Sequence, residues 1–130
     1  MKILITGSNG LLAQKIIFLA LKESVNILAT SKGVDRSSNF HQINYEYLSL
    51  DITNKDQVSS VINKFTPDVV FNTAAMTNVD LCEDEKQACD ALNVEAVSYL
   101  ADACAKIDAH LIRLINLTTP RMVRHCAPGY

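Results

Sequence analysis

The chain has 130 residues, 48% of them hydrophobic, with a formal net charge of −2. That length fits one domain with a core of its own. The balanced charge argues against a broad nucleic-acid surface, and no apolar stretch reaches the roughly 18 residues of a membrane span. Met1-Lys2 leads directly into a strand-like run without a signal-peptide pattern, so the expected compartment is the cytoplasm. Cys82, Cys89, Cys104 and Cys126 show no C-x-x-C spacing. Cys82, Cys89 and Cys104 lie in helical patterns and are expected to be small buried thiols rather than metal ligands or disulfide partners, in keeping with a reducing compartment.

Apolar strand-like runs alternate with helical patterns along the chain. The first strand, residues 2–6, holds Ile3-Leu4-Ile5 and runs into Thr6-Gly7-Ser8-Asn9-Gly10-Leu11-Leu12-Ala13. A helix follows over residues 11–22, with Leu12, Ile16, Leu19 and Ala20 in its pattern. Strands over 25–30 and 45–50 flank a polar loop, 33–44, that contains Ser37-Ser38-Asn39. The next helix, 55–65, has Val58, Val61, Ile62 and Phe65 at i, i+3, i+4 and i+7. Thr53 is its expected N-cap, with Asp56 three residues on, and Pro67 stops it. A strand at 69–72 precedes a long helix over 83–107, striped by Leu92, Ala96, Tyr99, Leu100 and Ala103, and the last strand is placed at 111–117. The alternation predicts an α/β fold, a Rossmann-like doubly wound parallel sheet with helices on both faces. It would occupy residues 1–117 and leave 118–130 as an irregular tail.

Strand, glycine turn and helix form the context in which a glycine motif becomes a phosphate site. The helix start offers unpaired N–H groups and partial positive charge. Gly7 and Gly10, with Ser8 and Asn9 between them and Leu11 and Leu12 after, are the candidate dinucleotide loop. Gly7 and Gly10 would permit a tight turn and close phosphate approach, and Ala13 would fill a helix–sheet contact that takes only a small side chain. The spacing G-x-x-G-x-x-A departs from G-x-G-x-x-G, so the structural context carries the assignment.

At the end of the second strand an acidic residue would select NAD. Thr30-Ser31-Lys32, with Arg36 beyond, stands there instead. A hydroxyl and a cation suit the 2′-phosphate of NADP, with NAD as the alternative and a merely solvated Lys32 as the plain reading. Asp51 and Ile52 close the third strand, where they face adenine or where Asp51 simply caps a turn. Ala74 and Ala75, after Asn72-Thr73, leave room for a ribose or pack under a helix. Asp80, Glu83, Asp84 and Glu85 are read as stabilising a helix start rather than holding a metal. Asn93 is mid-helix, either buried with a specific partner or facing solvent. No role is assigned to His41, His110 or His125.

The run from Met1 to Leu12 resembles the opening of the extended short-chain dehydrogenase/reductases, and most closely the dTDP-4-dehydrorhamnose reductase family. Leu50-Asp51-Ile52-Thr53, Pro67-Asp68-Val69-Val70-Phe71-Asn72-Thr73-Ala74-Ala75, and Val79-Asp80 with Glu83 and Asn93 extend the likeness over residues 1–113. The resemblance implies that Gly7, Gly10 and the adjoining backbone hold pyrophosphate, that Asp51 and Ile52 flank adenine, and that Ala74 and Ala75 line the ribose. It implies that Asn93 takes the superfamily's helix-borne asparagine position. The implied activity is NAD(P)H-dependent reduction of a nucleotide-linked 4-keto sugar, with a dinucleotide and a nucleotide-sugar as partners.

Beyond residue 113 the likeness fades. Thr118 or Thr119 would stand in for the family's active-site hydroxyl, and no Tyr-x-x-x-Lys pair occurs in the 130 residues. That pair lets the tyrosine give a proton to the carbonyl while hydride arrives at carbon. The expectation is the cofactor half of a reductase, truncated or altered near residue 114 and catalytically incomplete. A non-catalytic dinucleotide-binding module or subunit is the alternative, and a structural remnant with an empty cleft is a third reading. An incomplete doubly wound sheet leaves an edge and an apolar face, so self-association is expected.

Overall fold

A computed structural model describes residues 1–36, 45–75 and 79–113. Five parallel strands form one sheet: β1 (Lys2–Thr6), β2 (Asn26–Ser31), β3 (Glu46–Ser49), β4 (Val69–Asn72) and β5 (His110–Arg113), in the order β3-β2-β1-β4-β5. The chain therefore winds outward from β1 on one side and then on the other. The carboxyl ends of β1 and β4 mark the switch point, where open α/β sheets place their ligands.

The central strands are buried on both faces, so they read as continuous apolar runs. Period-2 alternation sends Ile3, Ile5, Ile27 and Ala29 to one face, where they pack with Ala13 and Ile17 of α1 (Leu11–Leu21). Leu4, Leu28 and Val70 point to the other face, against Val58 and Ile62 of α2 (Lys55–Phe65) and Ala96, Leu100 and Ala103 of α5 (Ala96–Lys106). Each fully buried Leu or Ile contributes about 1.5–3 kcal/mol of transfer free energy.

Strand and helix positions agree closely with the sequence reading for β1, α1, α2 and β4. The last strand is described only to Arg113, and residues 114–117 of the expected strand lie outside the described residues, as do 118–130. Three expectations need correction. Thr53 is not the N-cap of α2. Asn54 is, and its side-chain oxygen accepts from the Gln57 N–H at 3.1 Å. The single helix expected over 83–107 starts earlier and is interrupted: α3 (Val79–Asp84), α4 (Lys86–Asp90), one π-helical turn (Ala91–Glu95) and α5 follow one another, with Glu85 at non-helical φ −118°, ψ 62° between the first two. Cys82 and Cys89 are not free thiols. Seven residues apart and with Cα atoms 5.2 Å apart, they form a disulfide across that break. Cys104 does follow expectation: it is buried and unbonded, and burial pushes its thiol pKa up to about 11.

Candidate dinucleotide-binding site

The chain leaves β1 at the buried Thr6 and turns through Gly7, whose φ is +71°. A Cβ on Gly7 would lie 2.8 Å from the Ala74 nitrogen and 2.9 Å from both the Ala74 Cα and the Thr73 hydroxyl oxygen. Gly7 is thus required by the left-handed turn and by the end of β4 lying against it. The space at Gly10 is different. Its backbone is extended (φ −80°, ψ 158°), and a Cβ there would meet only the Gly7 carbonyl oxygen, at 3.3 Å. Of the two glycines Gly10 is the less crowded, with a single tight neighbour instead of three.

Polar groups at the strand ends hold the turn in place. The Ser8 N–H donates to the Thr30 carbonyl at 2.9 Å and the Gly10 N–H to the Gly7 carbonyl at 3.0 Å. Thr6 Oγ1 donates to Asn72 Oδ1 at 2.6 Å, and Thr73 Oγ1 donates to the Thr6 carbonyl at 2.6 Å. Thr30 Oγ1 donates back to the Ile5 carbonyl at 2.9 Å. Sequence reasoning missed this knot. Its signal was present as Thr6 and Asn72, polar residues ending apolar strands that parallel pairing sets side by side.

Above this turn α1 begins without a cap. Gly10 supplies no side-chain hydrogen bond and no acidic residue lies in the first turn. The amides of residues 11–13 precede the first intrahelical bond, from the Gln14 N–H to the Gly10 carbonyl at 3.1 Å. Leu11 and Leu12, at this helix start, are 80% and 49% exposed. Ala13 is wholly buried at the helix–sheet contact, as a small residue there requires. The Ser8 hydroxyl oxygen is buried and has no hydrogen-bond partner in the structure.

The other candidate residues line the edge formed by β2 and β3. Ser31 ends β2 with its carbonyl accepting from the Leu50 N–H at 3.0 Å and lying 3.1 Å from the Tyr47 hydroxyl oxygen. The Lys32 ammonium is 83% exposed and stands 3.7 Å from Asp51 Oδ2. Asp51 Oδ1 accepts from the Thr53 N–H at 3.0 Å and from the Thr53 hydroxyl at 2.6 Å. Those bonds, and then the Lys32 charge, hold the Asp51 carboxyl below its ordinary range. Asp51 therefore does cap a turn, and its other oxygen faces Lys32. Ile52 is buried in the core, which leaves its main chain as the part able to meet a ligand. Ala74 and Ala75 are half-buried just past β4, and the Ala74 N–H donates to Asn72 Oδ1 at 3.2 Å.

Asn93 is buried in the π-helical turn; its Nδ2 donates to Cys89 Sγ at 3.1 Å, and Arg113 Nη2 donates to its carbonyl at 2.7 Å. Of the two positions open to it, the buried one holds. Among the described residues no three or more His, Cys, Asp or Glu converge as for a metal ion, and Asp80, Glu83, Asp84 and Glu85 are exposed. Thr118, the candidate active-site hydroxyl, lies outside the described residues.

Three features together fit a diphosphate: an uncapped helix start, a glycine as its N-cap and a buried hydroxyl with no hydrogen-bond partner, all at the switch point. Comparison with known proteins then places the chain. The family model described as the RmlD substrate binding domain matches residues 1–116. The chain belongs to this family, that of the dTDP-4-dehydrorhamnose reductases. It is 31% identical over 113 residues to such a reductase from Aggregatibacter actinomycetemcomitans, a match that covers 87% of this chain and 34% of that protein. The chain thus spans about a third of the length of that curated relative. A crystal structure of a dTDP-4-dehydrorhamnose reductase from Clostridium acetobutylicum superposes with TM-score 0.70 at 32% identity, over 85% of this chain and 34% of that one. A UDP-glucose 4-epimerase from Stenotrophomonas maltophila, solved with bound NAD and formylated UDP-arabinopyranose, gives TM-score 0.79 at 14% identity over 91% of this chain and 38% of that one, a likeness of fold alone. Among the described residues no helix is long and apolar enough to cross a membrane.

Proposed function

We propose that the chain is the dinucleotide-binding part of a reductase acting on a nucleotide-linked 4-keto sugar, with NADP(H) as its cofactor. The observation that carries this reading is the uncapped start of α1 beside Gly7 and Gly10, at the carboxyl ends of β1 and β4. The amides of Leu11, Leu12 and Ala13 would receive the pyrophosphate, with the main chain of Ser8 and Asn9 adjoining. Asp51 and Ile52 would border adenine, Ser31 and Lys32 the 2′-phosphate, and Ala74 and Ala75 the second ribose. When bound, the cofactor supplies hydride; the chain's own residues hold and orient it.

NAD(H) is the second reading, favoured by the contact of Lys32 with Asp51, which offsets the cation a 2′-phosphate would need. The 130 residues contain no Tyr-x-x-x-Lys pair, and general acid–base groups typically contribute 10²- to 10⁴-fold. We read these 130 residues by themselves as binding without efficient turnover, with Thr118, or Thr119 beside it, as the candidate active-site hydroxyl. A non-catalytic binding module is the alternative. A cytoplasmic setting supplies the cofactor, and the burial of Cys82 and Cys89 limits access of bulk thiols to their bond. Ile112 is 41% exposed and pairs with Phe71 on the α1 face of the sheet, a patch through which we expect self-association.

Calorimetric titration of the chain with NADPH and NADH tests the reading. Micromolar binding of either is expected, with NADPH tighter, and a higher melting temperature in its presence. Absence of heat and of thermal shift with both would remove the proposal. Measurable reduction of a dTDP-4-keto sugar by the chain would reject the binding-only reading.

A further inference from the structure

We propose that Asn9 is the positioning residue through which this chain discriminates 2′-phosphorylated from plain dinucleotides; the inference rests on the dinucleotide reading above. Its side chain reaches across to the segment after β2. Asn9 Oδ1 accepts from the Arg36 N–H at 2.8 Å, and Asn9 Nδ2 donates to the Val34 carbonyl at 3.0 Å. One partner is a donor and the other an acceptor, so only one orientation of the amide satisfies both. The amide acts as a peptide group would, bracketing Asp35 as a rung brackets a residue between paired strands.

The segment so held carries both cations of this edge, Lys32 and Arg36, and contains no helix or strand of its own beyond Ser31. Its other side is fastened by β3 and the residue before it. The Gly33 N–H donates to Ser49 Oγ at 3.0 Å, the Tyr47 hydroxyl donates to the Gly33 carbonyl at 2.7 Å, and the Tyr45 hydroxyl donates to Asp35 Oδ2 at 2.8 Å. Asn9 itself sits between Ser8 and Gly10, inside the turn that would hold the pyrophosphate. A single side chain thus ties the main-chain anion site to the basic loop and fixes their separation before a ligand arrives. Both ends of its amide are spent on protein, so Asn9 acts through the loop and not by touching the cofactor with its side chain.

NADPH and NADH share the pyrophosphate, and only the 2′-phosphate reports on the loop. Asn9→Ala should therefore weaken NADPH about tenfold, the size expected when a previously ordered loop must be immobilised on binding, and change NADH by less than about threefold. Calorimetry on the 130-residue chain reads both constants, and NADH serves as the internal control for folding of the turn. An unchanged NADPH-to-NADH ratio in Asn9→Ala overturns the inference. So does an equal loss of both ligands, which would make Asn9 a structural support of the turn. Asn9→Ser removes the arm to Val34 with a smaller disturbance and is judged by the same ratio if the alanine variant does not fold. Parent chain that binds NADH at least as tightly as NADPH sinks this inference and leaves the dinucleotide reading standing; parent chain that binds neither sinks both.

Discussion

Two helices of equal length begin at the same edge of this sheet, and they begin in opposite ways. α2 closes its own N-terminus. Asn54 caps it, Asp56 adds negative charge to its first turn, and Gln57 Oε1 reaches back to accept from the Asp51 N–H at 3.2 Å. α1 has a glycine at the same position, no side-chain cap and no acid in its first turn. Orphan amides cost free energy unless something pairs with them. The chain satisfies one helix start from its own residues and leaves the other bare at the switch point of its sheet, and that difference is what supports the anion site proposed for α1.

The largest expected effect comes from disturbing the turn that gives α1 this exposure. Gly7→Ala puts a Cβ into the backbone of Ala74 at positive φ. The left-handed conformation costs about 1–2 kcal/mol and the overlap adds about 1–3 kcal/mol. Chemical denaturation should show a loss of about 3 kcal/mol, and dinucleotide binding should vanish with it. Gly10→Asp comes next and converts the start of α1 into one like that of α2. The Gly10 φ is one any residue adopts, but a Cβ would press on the Gly7 carbonyl oxygen at 3.3 Å. The gain of about 1 kcal/mol from the new cap is therefore partly offset, and stability should stay within about 1 kcal/mol of the parent. A carboxylate about 4 Å from a phosphate costs about 4 kcal/mol at an effective dielectric of 20, so dinucleotide affinity should fall by about 100-fold or more. A variant that keeps its stability and still binds would show that the bare helix start has no part in binding.

The same contrast explains what could be read in the sequence. The glycine turn, the strands and the doubly wound order were legible because two-sided burial writes continuous apolar runs, and because glycines punctuate the first βα junction. The cap of α2 was misplaced because two frames overlap by one residue. Thr53-x-x-Asp56 and Asn54-x-x-Gln57 both look like caps, and in the second Gln57 reaches back past the cap to the Asp51 N–H. Thr53 is instead spent on Asp51. The break at Glu85 and the bond between Cys82 and Cys89 left no periodic trace, since Leu92, Ala96, Tyr99, Leu100 and Ala103 keep their stripe across the π-helical turn. The reach of Asn9 to Val34 and Arg36 is tertiary, 25 and 27 residues away, and no local pattern announces it.

A smaller effect separates the two helix starts in the other direction. Asn54→Ala removes the cap of α2 and should cost about 1 kcal/mol, a fall in melting temperature of about 4 °C for a domain of this size. Dinucleotide affinity should stay the same, because α2 starts beyond β3, away from the turn proposed to hold the pyrophosphate. A loss of affinity in this variant would mean that the closed helix start also takes part in binding, and the contrast with α1 would fail.

The smallest effect is a difference in how the two junctions respond to acid. The residues of the α1 junction, Gly7 to Ala13, include no titratable side chain. The approach to α2 depends on Asp51, whose carboxyl pKa is lowered by the Thr53 hydrogen bonds and the nearby Lys32. A group lowered on folding contributes stability above its unfolded pKa, about 3.9, and that contribution is lost as pH falls through the lower folded value. Asp51 is partly exposed, so solvent screening keeps its share small. Amide exchange at residues 53–57 should therefore quicken below about pH 4, while residues 8–13 keep their protection relative to the global unfolding rate. Asp51→Asn should flatten that acid response by removing the small contribution at neutral pH, so that the variant is slightly less stable than the parent above about pH 4 and equal to it in acid. Equal acid sensitivity at both junctions would mean that Asp51 does not set it, and that the two helix starts differ in capping but not in charge.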